Sequence, residues 1–305
     1  ELLLRCRSAA TALMEAHADT PMVGRTLMQQ ALPITLGVKV AHWAIGLEQN
    51  RRRLSHIELP VQFGGAVGVH SGWDALGLEW MDALAERLGL VAPVLPWHTD
   101  RYPIHALGIA LDAVAGAAEK IALDVSLLTQ TEVGEVAEPS APGMGESSSM
   151  PHKRNPVRSA LIRGAARQVH GHTSVLINAA AQPLERGLGE WHAEWAPLME
   201  SVLLVEGALE QVAVLLEGLE VYPDHMQRNL SVTGGGIMAE PVARLLAPAL
   251  GTDRAKAVSA EAAETARREA RAYAEVLLTH PDVKGIIDPE ALRNACDPAL
   301  YLGSS

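Results

Sequence analysis

Three stretches of the chain carry apolar residues alternately three and four positions apart. One runs Ile104, Leu107, Leu111, Val114, Ala118, Ile121, Val125, Leu128. A second runs Leu198, Val202, Val205, Leu209, Val212, Leu216, Leu219. The third, Leu36, Val40, Trp43, Leu47, Asn50, Leu54, has one polar member. That spacing lays a single apolar seam along an α-helix and favours helices crossing at about 20°. A helix over 104–128 would run for about 38 Å at about 1.5 Å per residue, well beyond the usual three turns. The same stretch is apolar off its seam, at Ile109, Ala113, Gly116, Leu123 and Leu127. A helix apolar on two faces has to bury both. The chain's own bundle could cover both faces, but the expectation is a symmetric oligomer that shares a helical core.

Composition points the same way. Aromatic residues are only 4% of the 305-residue chain, with Phe63 the single phenylalanine, which argues against a sandwich or barrel of strands. Alanine and leucine dominate, as in helices. An apolar share of 48% excludes intrinsic disorder. With 25 Lys+Arg against 36 Asp+Glu the formal charge is −11, without the basic footprint of a nucleic-acid or anionic-membrane binder. No window offers the roughly 18 uninterrupted apolar residues that span a bilayer; the most apolar stretch, 202–219, is broken by Glu206, Glu210 and Glu217. Cys6 and Cys296 stand far apart with no Cys-x-x-Cys spacing, so the expected location is a reducing cytoplasm. The first residues lack the basic start of a signal peptide and open inside an amphipathic helix without an initiator methionine, so N-terminal sequence is expected to be missing.

Turn-rich breaks divide the helices at Gly64-Gly65, at Pro93 and Pro96, and over 139–151. Tyr222-Pro223 ends the second long helix, after which come shorter helices and the loop Thr233-Gly234-Gly235-Gly236. The expected domains are a long-helix bundle over 1–220 and a small helical domain over 221–305.

The segment Ser147-Ser148-Ser149-Met150-Pro151-His152-Lys153-Arg154-Asn155-Pro156 carries the chemistry. Asn155-Pro156 reads as an N-cap followed by proline at the first helical position. The helix that begins there offers free backbone N–H groups and the positive end of its dipole. Lys153, Arg154 and Arg158 add cations, and three serine hydroxyls lie just upstream. Local physics leaves two readings equally open: an anion site with a nucleophile or base beside it, or a solvated loop with an ordinary cap. A nucleophile elbow fails for want of its second glycine, and no phosphate-binding G-x-x-x-x-G-K-[ST] is present.

The string Ser147-Ser148-x-Met150-Pro151-x-Lys153-x-Asn155-Pro156 closely resembles the signature loop of the fumarase/aspartase superfamily. Residues 20–35, from Thr20-Pro21-Met22-Val23-Gly24-Arg25-Thr26 through Gln29 to Thr35, are similar to another characteristic segment of it. Gln130-Thr131-Glu132-Val133-Gly134-Glu135-Val136, Gly189-Glu190-Trp191-His192-Ala193-Glu194-Trp195 and Asn229-Leu230-x-x-Thr233-Gly234-Gly235 resemble the 3-carboxy-cis,cis-muconate cycloisomerase branch. The resemblance implies an all-α long-helix bundle, a homotetramer core built from helices of four chains, and active sites shared between subunits. It implies a cofactor-free reaction on a small tricarboxylate, without metal, nucleic acid or membrane. Ser147 becomes the base, with Lys153 beside it. Ser148, Met150 and Asn155 become substrate-binding residues, as do Arg25, Thr26 and Gln29 from another subunit. His98 is placed with the substrate-binding residues; His98 and His152 are the candidates for the unassigned general acid.

Two departures from the pattern bear on the activity. Leu27 stands where most superfamily lyases carry an acid/base histidine, which disfavours adenylosuccinate or argininosuccinate lyase activity. Glu146 stands where the signature loop usually has glycine, setting a carboxylate beside the proposed base. The expected reaction is the interconversion of 3-carboxy-cis,cis-muconate and 4-carboxymuconolactone. The alternatives are a fumarate-producing C–N lyase such as adenylosuccinate lyase, and a non-catalytic helical assembly protein. His170-Gly171-His172 has metal-like spacing but no evident third ligand, and its two side chains diverge on a helix.

Overall fold

The computed structural model describes residues 1–140, 145, 150 and 152–305. In chain order they form α1 (Leu2–Ala16), β1 (Pro21–Thr26), β2 (Gln29–Thr35), α2 (Leu36–Ser55), α3 (Leu76–Leu88) and α4 (Tyr102–Leu128). Then follow β3 (Val136–Ala137), α5 (Val157–Asn178), α6 (Glu190–Ala193), α7 (Trp195–Glu217), β4 (Glu220–Val221) and α8 (Pro223–Leu230). A 3₁₀ turn at Gly236–Met238 leads into α9 (Ala239–Leu250), α10 (Thr252–Glu269), α11 (Tyr273–Thr279) and α12 (Pro289–Ala295). Among the described residues the fold is all-α apart from two short antiparallel pairs, β1–β2 and β3–β4. All three heptad stretches are long helices: α2, α4 and α7.

The residues group into two compact units. One comprises 1–9, 43–126 and 138–218; the other comprises 10–42, 127–137 and 219–305. The last change of unit, after Gly218, lies beside the break read at Tyr222-Pro223, and the segments 10–42 and 127–137 also belong to the second unit.

In the first unit the α4 seam is buried at Leu111, Val114, Ala118, Ile121 and Val125. Ile162, Ala166, Val169 and Leu176 of α5 pack with Val205, Leu209, Val212 and Leu216 of α7, all buried. Each large side chain so buried contributes about 1.5–3 kcal/mol. The Trp43 indole N–H donates to Asp124 Oδ2 at 2.8 Å, which satisfies a polar atom at the edge of the core. The second face of α4 stays open, with Ile109 and Leu123 exposed. So does a stripe at the start of α7, Trp195, Met199, Val202 and Leu203.

In the second unit β1 and β2 form a hairpin. Its register pairs Pro21 with Thr35 and Thr26 with Gln29, with a bulge between Val23 and Arg25. Val23 is wholly buried in the core of the C-terminal helices, among Val242 and Leu246 of α9 and Ala255, Val258 and Ala262 of α10. Gly235 explains the glycine-rich loop as packing. Its φ is +89°, and a Cβ there would stand 2.4 Å from the Tyr273 Cβ, so no other residue fits. Tyr273 is itself fixed by a 2.7 Å hydrogen bond with the Ser259 hydroxyl.

Candidate functional site

The start of α5 differs from the sequence expectation in one respect. Asn155 is not its cap. The helix begins one residue later, with Pro156 in the cap position and no side-chain cap from it. Glu138, twenty residues upstream, takes the capping role. Its Oε2 accepts the Arg158 N–H at 2.8 Å, and its Oε1 accepts the Ser159 N–H at 2.8 Å and the Ser159 hydroxyl at 2.6 Å. A carboxylate on the first-turn amides satisfies them and suits the positive end of the dipole. Those amides are therefore engaged within the chain.

Asn155 serves the loop instead. Its N–H donates to the Gly145 carbonyl at 2.9 Å, and its own carbonyl accepts the Val157 N–H at 2.9 Å. Gly145 sits at φ +78°, and a Cβ there would meet the Asn155 oxygen at 2.9 Å, so the tether requires glycine. Met150 is exposed, and its carbonyl accepts the Lys153 N–H at 3.0 Å. Lys153 and His152 are exposed, whereas Arg158 is buried with Nη1 donating to Gln211 Oε1 at 2.6 Å. Ser147, Ser148 and Glu146 lie outside the described residues.

Arg25, Thr26 and Gln29 come together in the second unit, at the turn end of the β1–β2 hairpin. Thr26 and Gln29 are the last cross-strand pair and both are exposed. Between them Leu27 and Met28 form a two-residue turn with φ of +49° and +65°. That is the geometry of a type I′ turn, which ordinarily takes Asn-Gly. A left-handed residue that is not glycine costs about 1–2 kcal/mol. The strained tip nonetheless holds Leu27 out in solvent, 97% exposed.

Arg25 has a partner that local sequence spacing could not supply. Its Nη1 donates to Glu135 Oε2 at 2.9 Å and its Nη2 to Glu135 Oε1 at 2.7 Å, a bidentate pair. The Glu135 side chain is wholly buried, and that of Arg25 is 23% exposed. Asn229 completes the cluster: its amide donates to Glu135 Oε1 at 2.8 Å and to the Val133 carbonyl at 2.8 Å. Gln30 donates to the Asn229 carbonyl at 3.2 Å. Three segments that carried the resemblance, 20–35, 130–136 and 229–235, thus meet through one carboxylate.

His98 belongs to the first unit, against the loop that follows Gly64. Its Nε2 lies 3.1 Å from the Ala66 carbonyl and 3.1 Å from Arg186 Nη2. Its carbonyl accepts from Arg101, which is held by the buried Glu194 at 2.6 Å. His192 packs beside Trp191 and Trp195, with ring centroids 5.3 and 5.0 Å away. His170 and His172 face different carboxylates. His170 Nδ1 is 2.6 Å from Asp112, and His172 Nε2 is 3.0 Å from Glu200. The hydrogen bond to Asp112 raises the His170 pKa, against partial desolvation. Both cysteine thiols are pushed up by burial, Cys6 to about 11 and Cys296 to about 12.

Residues 3–171 match the model of a family described as lyase. A nitrosuccinate lyase of Streptomyces davaonensis is 42% identical, over 99% of this chain and 66% of its own length. A 3-carboxy-cis,cis-muconate cycloisomerase of Pseudomonas aeruginosa is 44% identical, over 95% of this chain and 64% of its own. The crystal structure of a 3-carboxy-cis,cis-muconate lactonizing enzyme from Pseudomonas putida superposes with a TM-score of 0.92 at 44% identity, over 99% of this chain and 68% of that one. The chain therefore spans a little under two thirds of the length of the curated relatives it matches. Family model, identities and superposition agree: the chain belongs to the lyase family, within the fumarase/aspartase superfamily.

Proposed function

We propose that the protein interconverts 3-carboxy-cis,cis-muconate and 4-carboxymuconolactone, without a cofactor, as a homotetramer in the cytoplasm. The observation that carries this reading is the 44% identity to a cycloisomerase of that name, together with Leu27 at the hairpin tip. An apolar side chain there supplies no proton, so the acid/base work falls to other residues. In lactone formation a carboxylate oxygen adds to one carbon of the diene and a proton is delivered to the neighbouring carbon. In reverse, a base removes the proton α to a carboxylate and the lactone C–O bond breaks. Ser147 is the proposed base. The developing aci-carboxylate carries concentrated negative charge, and Lys153 and Asn155 are the groups proposed to stabilise it. Ser148, Met150 and His98 are proposed to line the substrate, together with Thr26 and Gln29 supplied by another subunit. The open faces of α4 and α7, with Ile109, Leu123, Met199 and Leu203 exposed, support burial against other copies. Full-length protein mixed with 3-carboxy-cis,cis-muconate should abolish the diene's ultraviolet absorbance; unchanged absorbance refutes the reading.

A second reading rests on the 42% identity to a nitrosuccinate lyase. It makes the reaction a β-elimination across a C–N bond, and it predicts fumarate from nitrosuccinate in place of the lactone.

A further inference from the structure

We propose that Glu135 is a positioning residue for the hairpin, and that Arg25 acts through it rather than by binding substrate. This rests on the proposed role of Thr26 and Gln29 in lining the substrate. A two-stranded hairpin is marginal by itself, and this one carries a left-handed turn made of Leu27 and Met28, neither of them glycine. Something outside the hairpin has to hold it. Glu135 is suited to that because it is fixed on every side. Its N–H donates to the Leu128 carbonyl at 2.9 Å and its carbonyl accepts the Tyr222 N–H at 3.0 Å. Its buried carboxylate takes both terminal nitrogens of Arg25 and the Asn229 amide. Arg25 immediately precedes Thr26, so the bidentate pair fixes the strand one residue before the tip. Gln30 anchors the other strand to the Asn229 carbonyl, one residue beyond Gln29. The exposed pair Thr26 and Gln29 is thus clamped from both sides. An arginine whose charge is already matched by a buried carboxylate has little attraction left for a substrate carboxylate.

A double-mutant cycle on the full-length enzyme separates the two roles of Arg25. R25M and E135M should each lower kcat about 100-fold, the scale expected of misplaced binding groups, with KM within about threefold of wild type. R25M/E135M replaces a buried ion pair by apolar side chains of similar size, which proteins often tolerate. It should recover kcat to within about threefold of wild type. A role in folding alone would leave kcat per folded site unchanged in every variant, and that result overturns the proposal. A double variant no better than R25M, with KM raised at least about tenfold, also overturns it, because Arg25 would then be binding substrate. Amide exchange over 21–35 in E135Q gives a readout that needs neither turnover nor the methionine variants. Exchange faster by about tenfold or more is expected as the hairpin opens locally; unchanged exchange refutes the clamp even if the cycloisomerase reading fails.

Discussion

Arg25 and Lys153 both belong to segments that resemble the superfamily, yet their surroundings are opposite. Arg25 lies against a wholly buried carboxylate that matches its charge, and that carboxylate is itself bound by Asn229. Lys153 is exposed, next to a helix whose first amides are already taken by Glu138. A cation inside a recognised motif is therefore not by its position a ligand for an anion. On the proposed reading, the charge offered to a carboxylate substrate is on the loop before α5, and the hairpin would contribute shape and hydrogen bonds.

The largest effects are expected at the loop before α5. Ser147→Ala should lower kcat by about a thousandfold, within the range for a lost general base, and leave the oligomer intact by light scattering. Full activity in that variant would exclude the base. Lys153→Met should lower kcat/KM about 100-fold, the usual order for a lost electrostatic group. A KM increase there, set against constant KM in Arg25→Met, is the kinetic form of the contrast between the two cations.

The long helices are legible in the sequence because a 3.5-residue period is a local signal, and α2, α4 and α7 form where it predicts. The hairpin is not, because Leu27-Met28 offers none of the Gly or Asn that marks a tight turn; only neighbouring structure makes that backbone acceptable. The start of α5 was nearly legible. Asn155-Pro156 correctly marks it, but the capping group comes from Glu138, and no rule of local spacing links the two. Glu135 was within a segment singled out for its resemblance, and its tie to Arg25, 110 residues away, required the fold.

Smaller effects are expected at the start of α5. Glu138→Ala should destabilise the protein by about 1–2 kcal/mol, the usual worth of an N-cap, read in a denaturant titration. It should also make inorganic phosphate more stabilising than in wild type, since the vacated amides can then bind an anion. An unchanged midpoint and phosphate response would mean that the Glu138 contacts contribute nothing.

His170 gives the smallest effect, since it is more than a third exposed. Asp112 raises its pKa in the folded state. Its stabilising contribution is therefore fully present below the unfolded value, about 6.5, and disappears as pH rises through the raised folded value. His170→Asn should flatten that limb of the stability profile; an identical profile would show that the Asp112 contact is without thermodynamic weight.

The proposed reaction can be tested by proton NMR, with full-length protein incubated with 3-carboxy-cis,cis-muconate in deuterated water. The expected product is 4-carboxymuconolactone carrying one deuterium on the carbon α to a carboxylate, with no conversion by Ser147→Ala. An unconverted diene, or fumarate formed from nitrosuccinate by the same preparation in its place, would contradict it.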